Sequence, residues 1–224
     1  MSGYTGQVRP GGPAQVLDLE RLSVTKVAVD AKMSNNCFLL RCRASGEQLL
    51  IDAADDPAIL LGLIGERGLA TVVTTHQHWD HHRALAEVVA ATGAATVAGE
   101  PDAAAIAEAA GVAVSRTVGQ GDTVAVGEVT LEVIAIRGHT PGSICLLHTE
   151  PDGTPHLWTG DSLFPGGVGA TFGDEAAFAE LITDVEERIF RRLPDATVFY
   201  PGHGDDGVLG NERAHLPHWR ERGW

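Results

Sequence analysis

The stretch Thr75-His76-Gln77-His78-Trp79-Asp80-His81-His82 gathers three histidines and one aspartate within residues 76–81. Imidazole nitrogen and carboxylate oxygen at this density are ligands for borderline divalent metals. If the segment is extended as far as His78, His76 and His78 project to the same side, because strand side chains alternate with period two. A turn after them lets Asp80 and His81 diverge toward a second ion. The competing reading is a polar loop that merely contains histidines, but an apolar run ending in so much imidazole has no packing rationale. Three other places offer the same chemistry: His139 in Gly138-His139-Thr140-Pro141-Gly142-Ser143, Asp161 in Thr159-Gly160-Asp161-Ser162, and His203 in Pro201-Gly202-His203-Gly204. Each alone reads more simply as a turn residue. With the first cluster they supply five imidazoles and two carboxylates.

These residues need a rigid frame, and the chain predicts one. Segments 22–30, 36–43 and 48–53 are rich in Val, Leu and Ile between turn residues and read as strands. A helix is expected over 56–67, entered at Asp56-Pro57 and stopped near Gly68. The apolar strand 70–75 then runs directly into the histidine cluster. Helical spacing follows at 82–92 and 101–110, strands return between 112 and 160, and 175–193 is an amphipathic helix with Phe178, Leu181, Ile182, Val185, Ile189 and Leu193 on one face. A last strand, 197–201, precedes His203, and 211–221 reads as a terminal helix. The order predicts an α/β fold of two packed sheets between helices. Residues 1–13, rich in Gly and Pro, are expected to form a flexible arm before a single domain over 14–224.

Composition bounds the function. The 224 residues are 44% hydrophobic and 21% charged, enough to bury a core without disulfides or a structural metal. A net charge of −14 repels phosphate backbones and anionic lipid, so neither nucleic acid nor membrane is an expected partner. Cys37, Cys42 and Cys145 are too few for a disulfide framework, and Cys37 and Cys145 sit in apolar strands as expected buried thiols. With no signal-like N-terminus and no run of membrane-spanning length, a cytoplasmic location is expected. Two lysines among 16 basic residues suggest a GC-rich genome.

The motif His76-x-His78-x-Asp80-His81, followed in order by His139, Asp161 and His203, resembles the signature of the metallo-β-lactamase superfamily, and the resemblance runs from about residue 20 to 215. It implies an αββα four-layer sandwich with the metal site at the edge of the two sheets. By that pattern one ion takes His76, His78 and His139, the other takes Asp80, His81 and His203, and Asp161 bridges them. Asp52, ending the strand Leu49-Leu50-Ile51-Asp52, matches an aspartate that supports the ligands by hydrogen bonds; a plain turn residue is the alternative. His82, His148, His156, His215 and His218 are expected to be surface or structural, with His82 on a solvated helix face and a polar group added near the site as the alternative.

Asp161 within Thr159-Gly160-Asp161-Ser162-Leu163-Phe164, and the tail from Pro201 to Arg213, are similar to the glyoxalase II-like branch. That resemblance implies a hydrolase of thioesters of glutathione or mycothiol, with two divalent ions (zinc, with iron or manganese as alternatives) holding a bridging hydroxide that Asp80 orients. The helical domain with which longer glyoxalase II enzymes hold glutathione is not present in the residues after His203, which leaves the thiol carrier open. The alternatives are a lactone or other ester hydrolase and a mononuclear iron persulfide dioxygenase. Dioxygenases of the superfamily usually carry an arginine and an aspartate near positions occupied here by Ala170-Thr171. Trp79 and Phe164 are candidates for a substrate pocket, with core positions as the alternative. Arg137 is a candidate to meet a substrate carboxylate, with a solvated arginine as the alternative.

Overall fold

The computed structural model describes residues 3–223. One sheet has seven strands in chain order: β1 (Gln15–Asp18), β2 (Leu22–Val29), β3 (Asn35–Cys42), β4 (Gln48–Ile51), β5 (Thr71–Thr74), β6 (Ala95–Gly99) and β7 (Arg116–Val118). Strands β1 to β4 pair antiparallel; β5, β6 and β7 add in parallel, which requires the helical crossovers α1 (Pro57–Ile64), α2 (Leu85–Thr92) and α3 (Ala103–Ala110). The second sheet contains β8 (Thr123–Val126), β9 (Val129–Ala135), β10 (Ile144–Thr149) and β11 (Pro155–Gly160). A small hairpin, β12 (Leu163–Phe164) with β13 (Gly167–Val168), leads to α4 (Glu175–Val185). The second sheet is completed by β14 (Val198–Pro201) and β15 (Gly207–Val208), in the order β15-β14-β11-β10-β9-β8, and α5 (Leu209–Glu212) and α6 (Leu216–Arg222) follow.

Period-two alternation sends the side chains of the inner strands to both faces, and both are covered. In β3, Phe38 and Leu40 face the other sheet while Cys37 and Leu39 face the helices; in β10, Ile144 and Leu146 face inward while Cys145 and Leu147 face outward. One apolar cluster therefore fills the space between the sheets, with Trp158 stacked on Tyr200 at its centre, 5.3 Å between rings. A second lies between the first sheet and α1 to α3, and a third between the second sheet and α4 with Trp219. This is the αββα sandwich. All three cysteines are buried free thiols. No helix among the described residues is long and apolar enough to cross a membrane.

The structure departs from the expected elements where local pattern is weak. β6 and β1 carry no strong strand signal. The helix expected from residue 82 begins at Leu85, because Trp79–His81 form a single 3-10 turn that splays Asp80 from His78. The helix expected over 175–193 ends its α-form at Val185 and continues as a π-turn, Glu186–Phe190. Within the N-terminal segment, expected to be a flexible arm, Tyr4, Gly6 and Val8 are buried or half-buried, and Tyr4 and Gly6 bond to the sandwich. Lys26 occupies an inward-facing position of β2 and is fully buried, and an ammonium there needs its three protons satisfied. Gly6 O accepts at 2.6 Å, Asp206 Oδ1 at 2.7 Å and Gly204 O at 2.9 Å, while Tyr4 donates to Asp206 Oδ2 at 2.5 Å.

Candidate metal centre

All seven expected ligand residues converge at the ends of strands from both sheets. His76 and His78 follow β5, Asp80 and His81 lie on the 3-10 turn, His139 follows β9, Asp161 follows β11 and His203 follows β14. Three groups of side chains bring possible ligand atoms within 4.8 Å of one another: His76, His78 and His139; His76, His81 and Asp161; and Asp80, His81 and His203.

The hydrogen bonds around the histidines decide which nitrogen faces the centre. His139 Nδ1 lies 2.8 Å from Ala170 O, and His203 Nδ1 lies 2.9 Å from Met33 O; a carbonyl accepts only, so each Nδ1 carries the proton. His81 Nδ1 donates to Asp52 Oδ2 at 2.9 Å. Thr75 Oγ1 donates to Asp52 Oδ2 at 2.8 Å, so it receives His76 Nδ1–H at 3.0 Å. Four Nε2 lone pairs are thereby aimed inward. They meet at 3.2 Å (His81 with His203) and 3.3 Å (His76 with His139). Asp161 presents Oδ2 at 3.3 Å from His203 Nε2 and 3.8 Å from His139 Nε2, joining the two sides, and its buried Oδ1 accepts no hydrogen bond. Converging lone pairs and an orphaned carboxylate oxygen are unfavourable without a cation, so the donor set fits divalent metal.

As side chains alone, these groups perturb one another strongly. Burial lowers the pKa of His76, His78 and His139. Burial also opposes charge on His81 and His203, yet at His81 the carboxylates of Asp161 and Asp52 outweigh it and raise the pKa well above the usual range. At His203, Asp161 and Asp80 raise it to about 9. Burial acts to raise Asp80 and Asp161, but the facing imidazoles win and hold both below the usual carboxylate range.

The candidate ligands are supported by Asp52, as the resemblance implies, and by residues with no motif of their own. Asp52 sits at the end of β4 with φ 58° and also accepts from the Thr75 amide at 2.7 Å, so one carboxylate orients His81 and the start of the histidine loop. Buried Asn35 donates from Nδ2 to Asp80 Oδ2 at 2.9 Å and to Asp80 O at 3.0 Å. Asp102 accepts from the Gln77 amide at 2.9 Å, Thr140 Oγ1 at 2.6 Å and the Gly142 amide at 2.7 Å, clamping the loop of His78 to the loop of His139. Gly202 has no room for a side chain, since a Cβ there would come 2.6 Å from His81 Cε1 and closer still to Asp161 Oδ1.

A cleft of about 750 Å³ opens over the centre, lined among others by Trp79 and Phe164. Arg137 is not part of it. Its guanidinium is held by Asp184 of α4 at 2.9 Å from both Nε and Nη2, with Nη1 3.5 Å from Glu180, so it ties the His139 loop to α4 and faces two carboxylates outside the cleft. His82 is likewise not on a solvated face: it is buried with Nε2 3.1 Å from Gln77 O, bracing the histidine loop from within. His148 and His156 are buried against Glu150 and Tyr200, while His215 and His218 are exposed.

Comparison with known proteins agrees with this geometry. A profile of the metallo-beta-lactamase superfamily matches residues 31–203. A hydroxyacylglutathione hydrolase of Polaromonas sp. is 37% identical over 74% of the chain, a match that spans 60% of the relative's own length. The mitochondrial persulfide dioxygenase ETHE1 of Mus musculus is 30% identical over 80% of the chain and 67% of its own. The crystal structure of TTHA1623 in a di-iron-bound form superposes with TM-score 0.67 at 29% identity, covering 84% of this chain and 96% of that one. Two sheets between helical layers, seven His and Asp side chains gathered where the strands end, and a profile match from the β2–β3 turn to His203 make this chain a member of the metallo-beta-lactamase superfamily.

Proposed function

We propose that the chain is a binuclear metal-dependent hydrolase of thioesters formed by a small thiol. The observation that carries the reading is the pair of triads, His76–His78–His139 and Asp80–His81–His203, joined across Asp161 at the floor of an open cleft. The resemblance to a hydroxyacylglutathione hydrolase supports the thioester as substrate. Two bound divalent ions, zinc or iron, would supply a Lewis acid for the carbonyl and a water acidic enough to attack near neutral pH.

The chain's own residues do the remainder. The four Nδ1–H contacts keep the imidazoles from rotating, so the inward lone pairs cost little to reorganise during the reaction. Asp80 lines the cleft and stays ionised, with Oδ2 tied by Asn35. So depressed a carboxylate is a weak base; it orients the attacking water by accepting its hydrogen bond. The thiolate departs without a dedicated acid, because a thiol ionises near pH 8.5.

The test is thiol release from acyl-thiols, including lactoyl and formyl esters of glutathione and mycothiol, with metal-loaded and chelator-stripped protein side by side. Metal-dependent release is the expected result. Silence on every thioester, with oxygen uptake on a persulfide, would replace this reading by the dioxygenase activity named for the mouse relative.

A further inference from the structure

Exposed large apolar side chains mark a binding surface when they gather in one place. Among the described residues five large hydrophobics are exposed, and three of them, Met33, Trp79 and Phe172, line the cleft over the metal centre. Phe172 is 80% exposed and is held at φ 55°, a left-handed conformation that a bulky residue rarely adopts and that tends to persist at functional sites. Its ring lies 5.8 Å from that of His78 and 6.4 Å from that of His139, so it overhangs the first triad. Met33 lies on the opposite side, where its carbonyl receives His203 Nδ1–H.

Charge is distributed as unevenly as apolar surface. Arg83 lies 4.4 Å from the Trp79 ring, but Asp30 and Asp55 hold its guanidinium. Lys32, beside Met33, is the one lysine or arginine lining the cleft among the described residues. No carboxylate among them pairs with its ammonium, in a chain whose net charge is −14.

We propose that the substrate is an amphiphilic acyl-thiol, with an apolar group against Phe172 over the first triad and an anionic group at Lys32 beside His203. Phe172 and Lys32 are then the residues that select it. The proposal rests on the thioester reading above and narrows it: a short polar acyl group on a neutral thiol would leave both side chains without a partner. The reaction is a hydrolysis, in which water adds to the carbonyl, the C–S bond breaks, and a carboxylic acid and a thiol leave.

Unreactive probes separate recognition from chemistry. S-butyl, S-hexyl and S-octyl thioethers of N-acetylcysteine carry a carboxylate, and those of N-acetylcysteamine do not; their binding to the metal-loaded protein is measured by calorimetry. Affinity is expected to rise up to roughly fourfold per methylene until the cleft is filled. The anionic series should bind roughly two- to fivefold tighter than the neutral one. Phe172→Ala should flatten the chain-length dependence and Phe172→Leu restore part of it, while Lys32→Gln should abolish the preference for the carboxylate. Affinity independent of chain length, or a carboxylate preference that survives Lys32→Gln, would overturn the proposal. So would hydrolysis confined to short polar acyl groups, which would leave the thioesterase reading standing. Binding as expected with no thioester cleaved would overturn the thioester reading and leave the recognition of an apolar, anionic ligand in place.

Discussion

Asn35 carries the clearest consequence at the scale of single residues. Both of its Nδ2 protons go to Asp80, one to the side chain and one to the backbone carbonyl, 45 positions along the chain. Asn35→Ala should therefore leave the ligand set complete but free the Asp80 carboxylate to rotate. Losing such an outer hydrogen bond costs roughly 10–100-fold in turnover or metal affinity. Steady-state kinetics with metal analysis of the same preparation would check it; wild-type turnover at full metal content would remove Asn35 from the machinery. The seven candidate ligands, which the structure brings together, could be picked out because their chemistry is concentrated: an apolar strand ending in His-x-His-x-Asp-His, and lone His or Asp residues beside glycine at strand ends. Asn35, Thr75 and Asp102 could not, because a common polar residue acquires its role from a partner far along the chain. The substrate-contact reading of Arg137 failed for the same reason, since nothing near it in sequence announces Asp184, and the solvated-face reading of His82 gave way to its alternative because its neighbour in space is a backbone carbonyl of the histidine loop.

At the scale of elements, the site is an agreement between loops from two different sheets, and Asp102 enforces part of it. Its carboxylate sits at the entry to α3 yet receives donors from the loop after β5 and the loop after β9. Asp102→Ala leaves three donors without their acceptor, and each such loss costs about 1–3 kcal/mol when buried. A destabilisation on the order of 3 kcal/mol is expected in urea unfolding, with a smaller effect for Asp102→Asn, which keeps an acceptor oxygen. Equal midpoints for wild type and Asp102→Ala would show that the loops hold together without it. The helices and most strands could be read in advance, because α4 repeats its apolar face and β2 to β5 are runs of Val, Leu and Ile. β6 could not, since Ala-Thr-Val-Ala-Gly has little strand preference; parallel pairing with β5 and β7 makes it a strand.

At the scale of the whole molecule, fold and metal are separable. The three apolar clusters contain none of the seven candidate ligands, so chelation should stop turnover without unfolding the chain. What chelation changes is the dependence of stability on pH. In stripped protein His203 has its pKa raised to about 9, and His81 is raised well above its ordinary value, against about 6.5 for an unfolded histidine. A raised pKa means that the folded state binds the proton more tightly. Its contribution is fully present below about pH 6.5 and is lost as pH rises through about 9. Stripped protein should thus lose on the order of 3 kcal/mol between pH 6.5 and pH 9.5. Bound metal takes the place of those protons on the same Nε2 atoms, so the loaded protein should show little of that loss, and loading at pH 7.5 should release protons. Thermal melts of both forms at the two pH values, with calorimetric titration of metal in buffers of different ionisation enthalpy, measure both effects. Parallel pH dependence of the two forms, together with loading that releases no protons, would mean that the carboxylates facing His81 and His203 do not hold protons there, and the electrostatic account of the centre would fail.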